Sequence, residues 1–148
     1  MPQSLDELFH ISKECSEHSC RVNKKNVKQI YKPDSGFVNK QIEQELFKSG
    51  YKICDCIIEC QNDNIAIVEI LCGKLTVREI KDKKQQLENC CKAVHYTNQQ
   101  DKIKKIILFY DKLESSKKQP MIKKALINQR ICNKALEFKN DKPLNVGC

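Results

Sequence analysis

The chain has no run approaching the ~18 consecutive apolar residues that a membrane span requires, so no membrane partner is expected. Its start, MPQSLDELFH, lacks a basic segment followed by an apolar one. No secretory signal is therefore expected, and a cytoplasmic location is. No internal repeat or low-complexity linker interrupts the sequence. Arginine is scarce, three residues among 27 basic ones, which leaves phosphate contacts to point-charge lysines rather than bidentate forks. The paired C-x-x-C knuckles of a confident zinc site are missing too.

What is present is 148 residues, 40% of them apolar and 31% charged. This predicts one domain over 1–148 with a real core. The net charge of +8 is uneven, because between Asp101 and Lys142 twelve Lys or Arg face five Asp or Glu. A basic third suits an anionic partner, with DNA first. Lys104, Lys105, Lys117, Lys118, Lys123, Lys124 and Arg130 are the candidate contacts. A solvated lysine surface would carry the same pattern.

Ten cysteines admit three explanations: small apolar core residues, disulfides, or a zinc site. Cys15, His18 and Cys20 form C-x-x-H-x-C, an incomplete zinc pattern. Cys54, Cys56 and Cys60 share one strand parity, which burial explains. Cys90 and Cys91 are adjacent, so no more than one is expected to face the core fully.

Ser4 to Glu7 fits a capping box and predicts a first helix near 5–16. Residues 20–32 read as a short strand or a connector, and Pro33 to Gly36 as a turn. Phe37, Val38, Ile42, Leu46 and Phe47 make a helical stripe that Ser49-Gly50 ends with a left-handed cap. Strands follow at 51–60 and 65–72. The second is almost continuously apolar, so it should be central, with helices packed over it. Thr76 to Glu79 is another capping box. Its helix carries Val77, Ile80, Leu87, Cys91 and Val94 on one face and runs to about His95, where a cation suits the dipole. A buried strand at 106–110 comes next. Pro120 then opens a basic C-terminal helix over 119–138, with Met121, Ala125, Ile131, Ala135 and Phe138 as its apolar face. Leu144 to Val146 reads as an edge strand. The fold class is α/β, a mixed β-sheet flanked by helices.

Two acids stand in apolar strands, Asp55 and Glu69. Each loses water there and needs a partner, a metal or a proton. Whether they meet depends on the turn between the strands. A two-residue turn at Asn62-Asp63 sets Asp55 opposite Ile70, while a three-residue loop over Gln61 to Asp63, or a bulge, sets it opposite Glu69. One acid entering a strand, a second midway along the next and a lysine nearby is a layout for metal-dependent phosphodiester chemistry.

Cys54-Asp55 stands where one nuclease motif has Pro-Asp, and Val68-Glu69-Ile70-Leu71 where it has a strand ending in Glu-x-Lys. Gly73 to Thr76 and the helix containing Gln85 to Asn89 are similar to the stretch C-terminal to that motif. Over residues 37–110 the chain resembles the PD-(D/E)xK nuclease superfamily, and within it small archaeal Holliday-junction resolvase-like proteins. The resemblance implies a restriction-endonuclease-like αβββαβ core whose missing early strand would come from about 21–31, unless the sheet is smaller. It also implies a DNA endonuclease in which Asp55 and Glu69 are catalytic and bind Mg²⁺ or Mn²⁺. Leu71 occupies the motif's lysine position, so Lys74 is the auxiliary base it points to. Glu43 or Glu45 would be the family's first-helix acid. The alternative is a catalytically inactive nuclease-fold module that binds nucleic acid or another protein. A homodimer is left open.

Overall fold

The computed structural model describes residues 4–115 and 117–148. Its strands are Ile11–Ser12 (β1), Ser16–Glu17 (β2), Cys20–Arg21 (β3), Val27–Tyr31 (β4), Cys56–Cys60 (β5), Ile65–Leu75 (β6), Ile103–Leu113 (β7), Arg130–Ile131 (β8) and Lys134–Lys139 (β9). Its α-helices are Lys40–Leu46 (α1), Val77–Tyr96 (α2) and Gln119–Leu126 (α3). Seven strands form a mixed sheet in the order β1-β4-β5-β6-β7-β9-β8, and β2 pairs with β3 beside it. Neighbours from β1 to β6 are antiparallel, whereas β6–β7 and β7–β9 are parallel. The α/β expectation of a mixed sheet with helices holds, and of the two readings of 20–32 the segment forms a short strand, β4.

Strand parity sorts the core. Ile57, Ile67, Ile106 and Leu108 point to one side, where they pack with Ile42 of α1, Leu87 and Val94 of α2, and Ile122 of α3. Cys56, Ile58, Val68, Ile70, Ile107 and Phe109 point to the other. The second side was expected to carry helices; instead Cys15, Val22, Leu144 and Val146 cover it from irregular segments. Those segments offer few apolar groups, and covalent bonds hold them down. Cys15–Cys56, Cys20–Cys72 and Cys60–Cys148 are disulfides, as are Cys54–Cys90 and Cys91–Cys132.

This pairing decides among the three readings of the cysteines and replaces the zinc pattern at Cys15, His18 and Cys20. It also corrects the shared parity of Cys54 and Cys56. Cys54 lies before β5 begins and bonds to α2, while Cys56 bonds through the opposite face. Cys90 and Cys91 are both buried, because the β8–β9 hairpin covers the flank of α2 and Cys132 reaches Cys91 from it.

Three helices are shorter than their patterns suggested. Leu5–Glu7 is a single 3₁₀ turn, since Ser4 gives no side-chain cap to the backbone and its hydroxyl bonds the Glu7 carboxylate instead. α1 stops at Leu46, and Phe47 is extended; Gly50, at φ +84°, serves the loop beyond rather than the helix end. Val38 and Val77 are exposed. The expected helix 119–138 ends at Leu126, because Asn128, Cys132 and Asn133 all take left-handed φ values. Ile131, Ala135 and Phe138 therefore belong to strands, while Met121 is exposed. Leu144 makes a single bridge to Val22 instead of an edge strand.

α2 starts where the sequence placed it. Thr76 Oγ accepts the Glu79 amide at 3.0 Å. Thr76→Ala should cost about 1 kcal/mol, read as a fall of a few degrees in melting temperature by circular dichroism.

Candidate functional site

The hairpin turn settles the question of register. The Cys60 amide donates to the Asn64 carbonyl, and Asp63 sits at φ +68°, so the loop is the three residues Gln61 to Asp63. A left-handed third residue is how such loops close. The ladder runs out to Cys56 opposite Val68, so the next pair along the hairpin is Asp55 and Glu69. Both are buried, Glu69 to 1% exposure.

Their bonds interlock. The Asp55 amide donates to Glu69 Oε1 at 2.9 Å, and the Ile70 amide donates to Asp55 Oδ2 at 2.7 Å. Lys83 Nζ lies 2.9 Å from Glu69 Oε2. The lysine that meets Glu69 thus comes from the second turn of α2. Lys74 is exposed, opposite Lys112, near the end of β6. Five residues of strand separate it from Glu69, about 16 Å of backbone rise.

The chain carried a signal for Lys83 that the motif reading missed. Ile80 and Leu87 are buried on the sheet-facing side of α2, and Lys83 falls between them at helical spacing. A lysine inside an apolar stripe has to find a charge beneath it.

Two more acids reach the site from segments with no strong pattern. Asp34 lies in the 3₁₀ turn Pro33–Ser35, and Glu17 ends β2. Glu17, Asp34 and Asp55 each bring a carboxylate oxygen within 4.8 Å of the others. Lys32 Nζ, 3.7 Å from Asp34, offsets part of this negative charge.

Burial pushes the Asp34 carboxyl above the ordinary carboxylate range, with the Asp55 and Glu17 charges adding to it and Lys32 opposing. Glu69 is moved much further. Burial first, and then the Asp55 charge, raise it to about 9, against the pull of Lys83. Burial pulls Lys83 down most strongly of any single cause, but the Glu69, Asp55 and Glu79 carboxylates together leave it above the ordinary lysine value.

Beside Asp34 opens a cavity of about 400 Å³ lined also by Glu43, Tyr51, Lys52 and Gln86. Glu43 accepts a short hydrogen bond from the Tyr51 hydroxyl and lies 3.6 Å from Lys40. Glu45 is exposed and bonds Tyr96 instead, so of the two first-helix acids it is Glu43 that faces this cleft.

The predicted DNA contacts divide. Lys104, Lys117, Lys123 and Lys124 are exposed. Lys105 donates to the Val146 and Gly147 carbonyls, Lys118 lies 3.6 Å from Glu114, and Arg130 donates to the Asn133 carbonyl. Among the described residues no helix is long and apolar enough to cross a membrane.

The donor set fits a hard divalent cation. Oxygens alone are offered, and Glu17, Asp34 and Asp55 are grouped closely enough that they could hold one such ion between them. Each Glu69 oxygen already accepts one bond and keeps a second lone pair for a ligand.

No family model matches the chain, and neither a curated protein nor a solved structure matches it significantly.

Proposed function

We propose that this protein is a metal-dependent endonuclease acting on the phosphodiester bonds of DNA. The observation that carries the reading is the interlocked pair Asp55 and Glu69 with Lys83 against it. Asp55, with Glu17 and Asp34 beside it, would hold Mg²⁺ or Mn²⁺, which would polarise the phosphate and activate water. Glu69 completes the acidic wall, and Lys83 takes the part of the lysine that Leu71 displaced from the strand. The element order supports this reading. β4, β5 and β6 are an antiparallel run followed by α2 and a parallel β7, the βββαβ part of a restriction-endonuclease-like core, with α1 falling after the first strand instead of before it. The exposed lysines 104, 117, 123 and 124 would bind the DNA backbone with strong salt dependence. Disulfides in this number suit either an oxidising compartment or the cytoplasm of a hot-living cell.

The test is cleavage of duplex and branched DNA in Mg²⁺ and in Mn²⁺. Asp55→Ala, Glu69→Ala and Lys83→Ala should each lose on the order of 10²-fold or more, and Lys74→Ala should stay near wild type. Equal background cleavage by wild type and Glu69→Ala would leave the inactive DNA-binding module as the reading. Because burial holds Glu69 protonated up to about pH 9 and each ionised Glu69 adds negative charge beside Asp55, Mn²⁺ affinity should climb between pH 6.5 and 8.5. Calorimetric titration at the two values measures it.

A further inference from the structure

Cys91 and His95 sit four residues apart on α2, so both point to the same flank of the helix. Facing them is Cys132, the first of the two turn residues between β8 and β9. It stands at φ +54° and Asn133 at +62°, as a tight hairpin of this kind requires. Cys91 and Cys132 are joined as a disulfide. The ligand atoms of Cys91, His95 and Cys132 all lie within 4.8 Å of one another.

The three residues border an open cavity of about 380 Å³ that Glu88 also lines, one turn before Cys91. The two cations at its rim are engaged elsewhere. Lys92 Nζ donates to the Leu46 carbonyl at 2.7 Å and lies 5.3 Å from the centre of the Phe47 ring. Arg130 Nη2 donates to the Asn133 carbonyl at 2.6 Å.

We propose that thiol reduction converts this cross-link into a zinc site. Two equivalents of a small thiol such as glutathione supply two electrons and two protons to the Cys91–Cys132 bond and leave as their own disulfide. The two cysteine thiols then release two protons as they bind Zn²⁺. His95 adds an imidazole nitrogen, and Glu88 or water fills the fourth position. Tetrahedral zinc, at about 2.3 Å from sulfur and 2.1 Å from nitrogen, sets its ligands roughly 3.5–3.8 Å apart. Once the bond is reduced, the two sulfurs part from bonding distance to that spacing, and the His95 nitrogen already lies within 4.8 Å of both.

The soft ligands separate this site chemically from the all-oxygen cluster around Asp55. The consequence is that α2 and the β8–β9 hairpin stay tied in either redox state, by sulfur–sulfur in one and by zinc in the other. Among the described residues, no other disulfide has a histidine completing such a cluster.

To test this, the full-length protein is equilibrated in glutathione buffers of graded potential, with Zn²⁺ or with EDTA. Samples are acid-quenched, stripped of metal and alkylated, and the free thiols are located by peptide mass spectrometry. Zn²⁺ should raise the reduced-to-oxidised ratio of Cys91 and Cys132 by about tenfold or more and leave the other four pairs unchanged. His95→Ala keeps the disulfide and should abolish the zinc effect. Co²⁺ added to the thiol-treated protein should give thiolate-to-cobalt absorption in the near ultraviolet that His95→Ala weakens. An unchanged ratio, a zinc effect that survives His95→Ala, or no cobalt band would each overturn the proposal.

Discussion

Reduction of the disulfides should lower the melting temperature by more than about 10 °C. The five bonds close loops of 36 to 88 residues, and loops of that length are each worth roughly 4 kcal/mol in the chain-entropy account. The loops overlap, so the values do not add. Yet one such term is already a large part of the about 5–15 kcal/mol that holds a domain folded. The dependence should be greatest on the sheet face without helices. There, besides the disulfide-bonded Cys15, the covering segments bury Val22, Leu144 and Val146, and the tail is fixed by Cys60–Cys148. Replacing that pair by serine should cost about 2–5 kcal/mol, or roughly 4–20 °C for a chain of this size. Thermal melts by circular dichroism with and without reductant measure both effects. A melting temperature that stays put while mass spectrometry shows all ten thiols free would mean that hydrophobic packing holds both faces unaided.

The sequence carried those features that depend on neighbours along the chain. The Thr76 cap, the burial of Ile65 to Ile70 and the alternative registers of the hairpin are local, and the loop over Gln61 to Asp63 was among the geometries its residues allow. Asp55 and Glu69 were conspicuous because charge inside an apolar strand is costly wherever the strand sits. Features that depend on the third dimension were hidden. Disulfide partners cannot be deduced from spacing, and without them nothing marked the segments at Cys15 and Cys148 as the cover of a sheet face. Glu17 and Asp34 stand in polar surroundings that raise no flag. Lys83 is the intermediate case, since its place on the buried stripe of α2 is legible, but the motif drew attention to Lys74 on the strand. The long C-terminal helix failed for a local reason. Its apolar residues recur at helical spacing, but Asn128 and Cys132-Asn133 favour tight turns that break it into a short helix and a hairpin.

Lys83→Met should make the protein sensitive to alkali. Glu69 is an acid whose folded pKa, about 9, stands above its ordinary value of about 4.3. The stability tied to its protonated form is therefore complete below pH ~4.3 and is lost as pH rises, until the folded carboxyl itself ionises. In the wild type that decline levels off near the folded value, because the ionised Glu69 then has Lys83 2.9 Å away. Methionine keeps the straight apolar stem but removes this pull, so the folded pKa climbs and the decline continues. Up to about pH 8 the two proteins should lose stability in parallel. Beyond pH ~9 they should diverge by at most about 1.4 kcal/mol per pH unit, a gap of roughly 2 kcal/mol by pH ~10.5. Glu69→Gln has no proton to lose, and its stability should be flatter over the whole range. Urea unfolding at stepped pH gives all three curves. A gap between wild type and Lys83→Met that is the same at every pH would show that Lys83 contributes through packing alone, and the pairing of Lys83 with Glu69 would then lose its place in the proposed site.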